Sequence, residues 1–173
     1  MVCAEDVVSI YQRLLDNSIQ VWLSGGWGID ALLGEQTRPH KDIDVIVLLD
    51  DVVRMRELLG HDGYGLKELW SENRWALDAG GVETATAFVL QDAEGGEIDA
   101  HAMRLDDQGD GVPAWEAEGF ILRRQDLAGE GSIAGFTVRC LSPEMQVRCH
   151  KGYELPDQQE RDLVRLHEKF GVE

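Results

Sequence analysis

The stretch Asp42-Ile43-Asp44-Val45-Ile46-Val47-Leu48-Leu49 constrains the fold more than any other part of this 173-residue chain. Its β-branched and aliphatic content makes it a strand. Alternation along a strand places Asp42 and Asp44, two residues apart, on one face. Adjacent carboxylates repel each other, and burial raises the cost of charging either. A divalent cation relieves both problems, and oxygen ligands with room for water and a substrate phosphate suit magnesium. Two such ions, about 4 Å apart, would clamp the attacking and leaving oxygens of an in-line displacement. The same spacing also arises by chance at a solvated strand start, so the pair needs support from the rest of the chain.

The elements around this strand follow an α+β order. Val7, Ile10, Tyr11, Leu14 and Leu15 recur at helical spacing, which predicts an amphipathic helix over 5–16. Residues 19–24 read as a strand broken by Gly25-Gly26, and 27–33 as a short helix ended by Gly34. A helix is expected over 51–59. Strands at about 64–70, 73–79, 84–90 and 97–103 then form a meander beside the central strand. Residues 104–134, rich in Gly, Asp and Glu, are expected to form long loops. A short strand over 136–140 precedes Ser142-Pro143, a good N-cap and first helical residue. Helices at about 143–152 and 157–170 close the chain, with Gly171 terminating the last. The expected division is a catalytic domain over 1–141 and a small C-terminal helical subdomain over 142–173.

Charge and cysteine content narrow the function. Asp and Glu total 33 against 16 Lys and Arg, a formal net charge of −17. Such a field repels a nucleic acid backbone and attracts a polycationic small molecule. It also repels a nucleoside triphosphate unless divalent metal and local bases neutralise the phosphates. No apolar run approaches the length of a membrane span, and acids stand where a signal peptide needs bases. A cytoplasmic protein, monomer or homodimer, without membrane or nucleic acid partners is therefore expected. Cys3, Cys140 and Cys149 are too few and too scattered for a disulfide framework.

Three features support the carboxylate pair. Ser24-Gly25-Gly26 ends a strand at a helix start, where backbone N–H groups can meet a phosphate. Glu97-Ile98-Asp99-Ala100-His101 lies on a later strand. Asp99 has the right type for a third metal ligand or a general base. His101, on the same face, could orient substrate or accept a proton near neutral pH. Finally, Arg38, His40, Arg74 and Lys151 are candidate partners for a triphosphate in an otherwise acidic protein.

Together these residues resemble the small antibiotic nucleotidyltransferases of the polymerase-β-like superfamily, in particular the lincosamide and aminoglycoside 2″-nucleotidyltransferase branches. Trp22-Leu23-Ser24-Gly25-Gly26-Trp27-Gly28-Ile29-Asp30 is similar to the family's WLxGGWxxD segment. Thr37-Arg38-Pro39-His40-Lys41-Asp42-Ile43-Asp44 is similar to its R-x-H-x-D-I-D segment. Asn73-Arg74-Trp75-Ala76-Leu77 resembles an Arg-containing strand. Ile98-Asp99-Ala100-His101 is similar to the lincosamide I-D-x-H-P, with Ala102 in place of Pro. His150-Lys151-Gly152-Tyr153-Glu154-Leu155 is similar to that branch's H-x-G-Y-x-L. Residues 133–140 look more like the aminoglycoside branch.

The resemblance implies a mixed sheet flanked by helices, followed by a small C-terminal helical part. It implies that an antibiotic hydroxyl attacks the α-phosphorus of ATP or another nucleoside triphosphate, releasing pyrophosphate. On this reading Asp42 and Asp44 hold Mg²⁺, and Asp99 binds metal or takes the hydroxyl proton, with His101 as a second candidate. Ser24, Gly25 and Gly26 face the phosphates, helped by Arg38, Arg74 or Lys151. Asp30 matches a family position and could equally cap the nearby loop. His101 and Gly152-Tyr153 favour a lincosamide acceptor, whereas the net charge favours an aminoglycoside.

Two other readings compete. Gly26-Trp27-Gly28-Ile29-Asp30-Ala31 fits the dinucleotide-binding G-x-G-x-x-A, but its helix is too short for a βαβ crossover and the later strands do not alternate with helices. A toxin-system nucleotidyltransferase acting on a macromolecule is the other, with the acidic charge arguing against an RNA target.

Overall fold

The computed structural model describes residues 1–151 and 154–173. Gly152 and Tyr153, the centre of the H-x-G-Y-x-L match, lie outside the described residues. Five helices and ten strands are described: α1 (Ala4–Asp16), β1 (Val21–Ser24), α2 (Gly25–Leu33), β2 (Asp42–Leu48), α3 (Val52–His61), β3 (Gly65–Leu69), β4 (Trp75–Leu77), β5 (Glu83–Ala85), β6 (Ala87–Gln91), β7 (Glu97–Leu105), β8 (Gly111–Pro113), β9 (Gly129–Ile133), β10 (Phe136–Cys140), α4 (Pro143–Cys149) and α5 (Asp157–Phe170). None of the helices is long and apolar enough to cross a membrane.

The expected α+β architecture is present as a mixed sheet in the order β3-β6-β7-β2-β1-β10-β9, with β8 paired to the end of β7. The acid-headed strand β2 is its centre. It runs antiparallel to β1 and parallel to β7. Alternation decides what each face carries. Ile43, Val45 and Val47 of β2 join Ile98, Ala100 and Ala102 of β7 in the main core, together with Val7 and Leu14 of α1 and Met55 and Leu59 of α3. Burying each large aliphatic side chain contributes about 1.5–3 kcal/mol. The opposite face holds a smaller apolar cluster of Trp22, Ile46, Met103, Leu122, Leu141 and Met145. On β2 that face continues beyond Ile46 to Asp44 and Asp42, so the apolar cluster ends where the acids begin.

Two segments differ from expectation. The strand expected over 84–90 is broken at Thr86. Residues before it pair with β4 in a separate two-stranded sheet, and residues after it pair with β3 and β7. Thr86 is fully buried. Its hydroxyl accepts from the Arg74 N–H at 2.9 Å and donates to the Arg74 carbonyl at 2.7 Å. Asn73 Oδ1 accepts from the N–H groups of both Thr86 and Ala87. Side chains thus satisfy the backbone where one ladder is exchanged for another.

The second difference is in 104–134, where β8 and β9 stand within the expected loops. β9 turns into β10 through Ala134 and Gly135, both at positive φ, a mirror-type hairpin turn. The glycines that suggested a loop have a packing role instead. A Cβ on Gly131 would lie 2.3 Å from the backbone of Ala31 in α2. The α2 helix, against which α4 and α5 also pack, is therefore seated directly on strand backbone.

Gly131→Ala is accordingly expected to destabilise the protein by about 1–3 kcal/mol, the usual cost of overpacking. Gly60→Ala, in α3 with open space around the added Cβ, is expected to stabilise it by about 0.4–1 kcal/mol. Urea unfolding midpoints of the two variants check both signs.

Candidate active site

Parallel pairing sets Asp44 directly beside Asp99, and Asp42 beside Glu97. On its other side Asp44 pairs with Ser24, the last residue of β1. Asp42, Asp44, Asp99 and His101 therefore project from one face, into a cleft of about 740 Å³ that Ser24, Gly25, Gly26 and Arg38 also line.

The Gly-Gly pair is required by close approach. Gly25 opens α2 at φ +56°, and a Cβ there would fall 2.1 Å from Asp44 Oδ2. A Cβ on Gly26 would fall 2.3 Å from His40 Nδ1. The helix start thus lies against the Asp44 carboxylate. Ser24 is the N-cap, but its side chain makes no capping hydrogen bond. Leading N–H groups left uncapped at a helix start are suited to an anion.

The loop that follows α2 is tied down from both ends. Asp30, buried in α2, accepts from the Thr37 N–H at 3.1 Å and pairs with His40 Nε2 at 2.5 Å. This is the loop-capping role left open for Asp30. His40 is 3 % exposed and packs on Trp27, so it braces the loop from within. Arg38 lies between these anchors at the edge of the cleft, its Nε donating to Asp162 of α5 at 2.9 Å. Arg74 and Lys151 stand outside the cleft lining. Arg74 is paired with Glu116, and Lys151 Nζ donates to the Glu173 carbonyl at 3.3 Å.

On the far side of Asp44, Asp99 Oδ1 accepts from Trp70 Nε1 at 2.9 Å and lies 3.4 Å from His101 Nδ1. Glu72 Oε1 lies 3.2 Å from His101 Nε2. The imidazole meets Trp115 edge-on, with ring centroids 5.0 Å apart. Burial opposes charging of His101, but the hydrogen bond and charge of Asp99, then those of Glu72, outweigh it and raise its pKa. Trp70, Glu72, Trp115 and Asp162 were not singled out from the sequence. No local pattern marks them, because each reaches the site through a contact between residues distant in sequence.

The acids themselves are electrostatically frustrated. Burial pushes Asp44 up to about 8, with the charges of Asp42 and Asp99 adding to the effect. Burial also raises Asp42, again with a contribution from Asp99. Among the described residues no group of three or more His, Cys, Asp or Glu side chains is set closely enough to hold a metal ion by itself. Magnesium is ordinarily held by one or two carboxylates, waters and substrate phosphates rather than by an all-protein cage. A hard-oxygen pair that is costly to charge without a cation fits that chemistry.

The comparisons with known proteins agree with this geometry. Residues 6–166 match the family model for aminoglycoside-2″-adenylyltransferase. The chain belongs to that family. It is 28% identical over 148 residues to a lincosamide resistance protein of Staphylococcus haemolyticus, covering 86% of this chain and 84% of that one. It is 31% identical over 135 residues to a 2″-aminoglycoside nucleotidyltransferase of Escherichia coli, covering 75% of this chain but only 62% of that enzyme. Among solved structures, the lincosamide adenylyltransferase LnuA with lincomycin bound superposes with a TM-score of 0.77 at 26% identity, over 95% of this chain and 96% of that one. ANT(2″)-Ia in complex with adenylyl-2″-tobramycin superposes at 0.70 and 19% identity, over 97% and 89% of the two chains, which shows the shared fold. Membership makes this chain a nucleotidyltransferase, and the alternative reading of Gly26–Ala31 as a dinucleotide-binding turn gives way to it.

The raised Asp44 value predicts how stability depends on pH for this family member. Below the usual carboxylate value near 3.8, Asp44 is protonated whether folded or unfolded; between there and about 8 only the folded chain keeps the proton. The Asp44 contribution to stability therefore falls as pH rises through that window. Asp44→Asn, measured without divalent metal, should melt progressively higher than wild type from pH 4 to pH 8, by about 2–4 °C for each kcal/mol of strain relieved. Melting curves that stay parallel across this range would remove the electrostatic reading.

Proposed function

We propose that the protein transfers AMP from ATP to a hydroxyl group of a lincosamide, with Mg²⁺, in the cytoplasm. Asp42 and Asp44 are the residues that would hold the metal, which supplies charge neutralisation at the phosphates and polarises the α-phosphorus. The helix start at Ser24, Gly25 and Gly26, with Arg38, receives the triphosphate. Asp99 takes the hydroxyl proton through the oxygen that Trp70 leaves uncommitted, and also stands within the acidic set facing the metal. His101 helps to hold Asp99 in place through the same oxygen that Trp70 engages. The acceptor oxygen bonds to the α-phosphorus as the bond to the bridging oxygen of pyrophosphate breaks.

The acceptor class rests on the wall beside His101. Trp115, which meets His101, lines that part of the cleft together with Phe120 and Leu122. Of the nearby acids, Glu72 is engaged by His101 and Glu116 by Arg74. An apolar wall with its acids already paired suits an antibiotic with one basic nitrogen and an apolar body better than a polycation. The similarity to LnuA across nearly the whole chain supports the same choice. The net charge of −17 and the family model favour an aminoglycoside as the second reading.

Incubation with ATP and Mg²⁺, with lincomycin or tobramycin in separate reactions, distinguishes the two by product mass and pyrophosphate release. Lincomycin should gain one AMP. Turnover of tobramycin with lincomycin inert would reverse the assignment. Asp44→Ala should lower kcat/KM roughly a thousandfold or more, with the circular dichroism spectrum unchanged. Activity retained in that variant would sink the role of the pair.

A further inference from the structure

The C-terminal helix carries an acid whose position the fold alone does not explain. Asp162 of α5 is 2 % exposed. A buried carboxylate is costly unless it is paired. Its Oδ2 accepts from Arg38 Nε at 2.9 Å, and its Oδ1 lies 3.2 Å from the Thr37 hydroxyl. That hydroxyl donates to Asp30 Oδ1 at 2.7 Å. Asp162 therefore closes a chain of contacts from α5, through the loop at 37–40, to the helix that begins at the Gly-Gly turn.

For stability such a pair is a poor device. A buried ion pair is often no better than well-packed apolar residues of similar volume. What it does well is fix a guanidinium, whose five donors form a rigid fork. With Nε committed to Asp162, the two terminal nitrogens remain for other partners. Arg38 Nη1 has only a long contact of 3.5 Å with the Pro39 carbonyl, and Nη2 has no hydrogen bond among the described residues. Nη2 is 3.1 Å from the point where a Cβ on Gly26 would stand, so it lies at the start of α2.

We propose that Asp162 is a positioning residue for the nucleotide triphosphate: by holding Arg38 Nε, it aims the terminal nitrogens of the guanidinium at the phosphates received by the α2 start. This rests on the reading that Arg38 binds the triphosphate. Asp162 itself touches no phosphate and acts only through Arg38. Thr37 and Asp30 keep the loop from carrying Arg38 away.

The test is a double-mutant cycle on binding of α,β-methylene ATP with Mg²⁺, read by titration calorimetry, with melting temperature followed in parallel. Arg38→Ala should weaken binding, which checks the underlying reading. Asp162→Asn should weaken it about tenfold, the effect of misdirecting one charge-assisted hydrogen bond. In the Arg38→Ala background, Asp162→Asn should have no further effect on affinity. Asp162→Glu, which keeps the charge, should recover most of the loss, whereas a general packing defect would not be rescued by the longer side chain. If Arg38→Ala weakens binding and Asp162→Asn does not, the positioning role is overturned and the phosphate role of Arg38 stands. Additive losses in the cycle also overturn it, because Asp162 would then act by another route. If Arg38→Ala binds like wild type, both roles fail together.

Discussion

Parallel pairing of β2 with β7 sets two carboxylates, Asp44 and Asp99, side by side at the mouth of a cleft. The repulsion adds to burial in making Asp44 hard to charge. The strand interiors are apolar and fully engaged in the core, so the register cannot slip to separate the acids without moving Ile43, Val45, Ile98 and Ala100 out of it. The acids therefore stay together, and the energy of keeping them together is available to whatever cation neutralises them. Protonation of Asp44 is the response when none does.

The surrounding scaffold is built to let other groups come close to this pair. A helix can begin against a carboxylate only if its first residues have no side chain in the way, which is why Gly25 and Gly26 are there. The same helix is seated on β9 through Gly131 and held to the loop at 37–40 through Asp30. At Gly25, Gly26 and Gly131 glycine serves a single purpose, the close approach of one backbone to another group. Close packing and phosphate binding are compatible at the Gly-Gly turn: a helix start fixed against Asp44 is also a fixed place for a phosphate.

Much of this was legible in the sequence, and the parts that were not share a physical cause. The central strand, its acids and the neighbouring helices follow from periodicity and composition, because those signals are local. Asp30 could be read either as functional or as a cap; its bonds to Thr37 and His40 show the capping role. The 84–90 segment looked like one strand because its residues all favour extended structure; only the buried bonds among Thr86, Asn73 and Arg74 break it in two. β9 was hidden because glycine content ordinarily signals a loop, and here it signals contact with α2. Trp70 and Glu72 could not be found at all, since their link to Asp99 and His101 spans 29 positions that only the folded sheet brings together.

The two sides of the cleft come from different stretches of the chain. The side nearest α2 is assembled from residues between Ser24 and Asp44, with Asp162 behind it. The opposite wall is drawn from Asp99 and His101 of β7 and from Trp115, Phe120 and Leu122 in the segment after β8. The two stretches meet where β2 pairs with β7, Asp44 beside Asp99. Inheritance can therefore treat them separately. Insertions and substitutions in the second stretch can reshape which molecules are recognised while the first goes on handling the same energy-rich donor, so new resistance spectra can arise without rebuilding the chemistry.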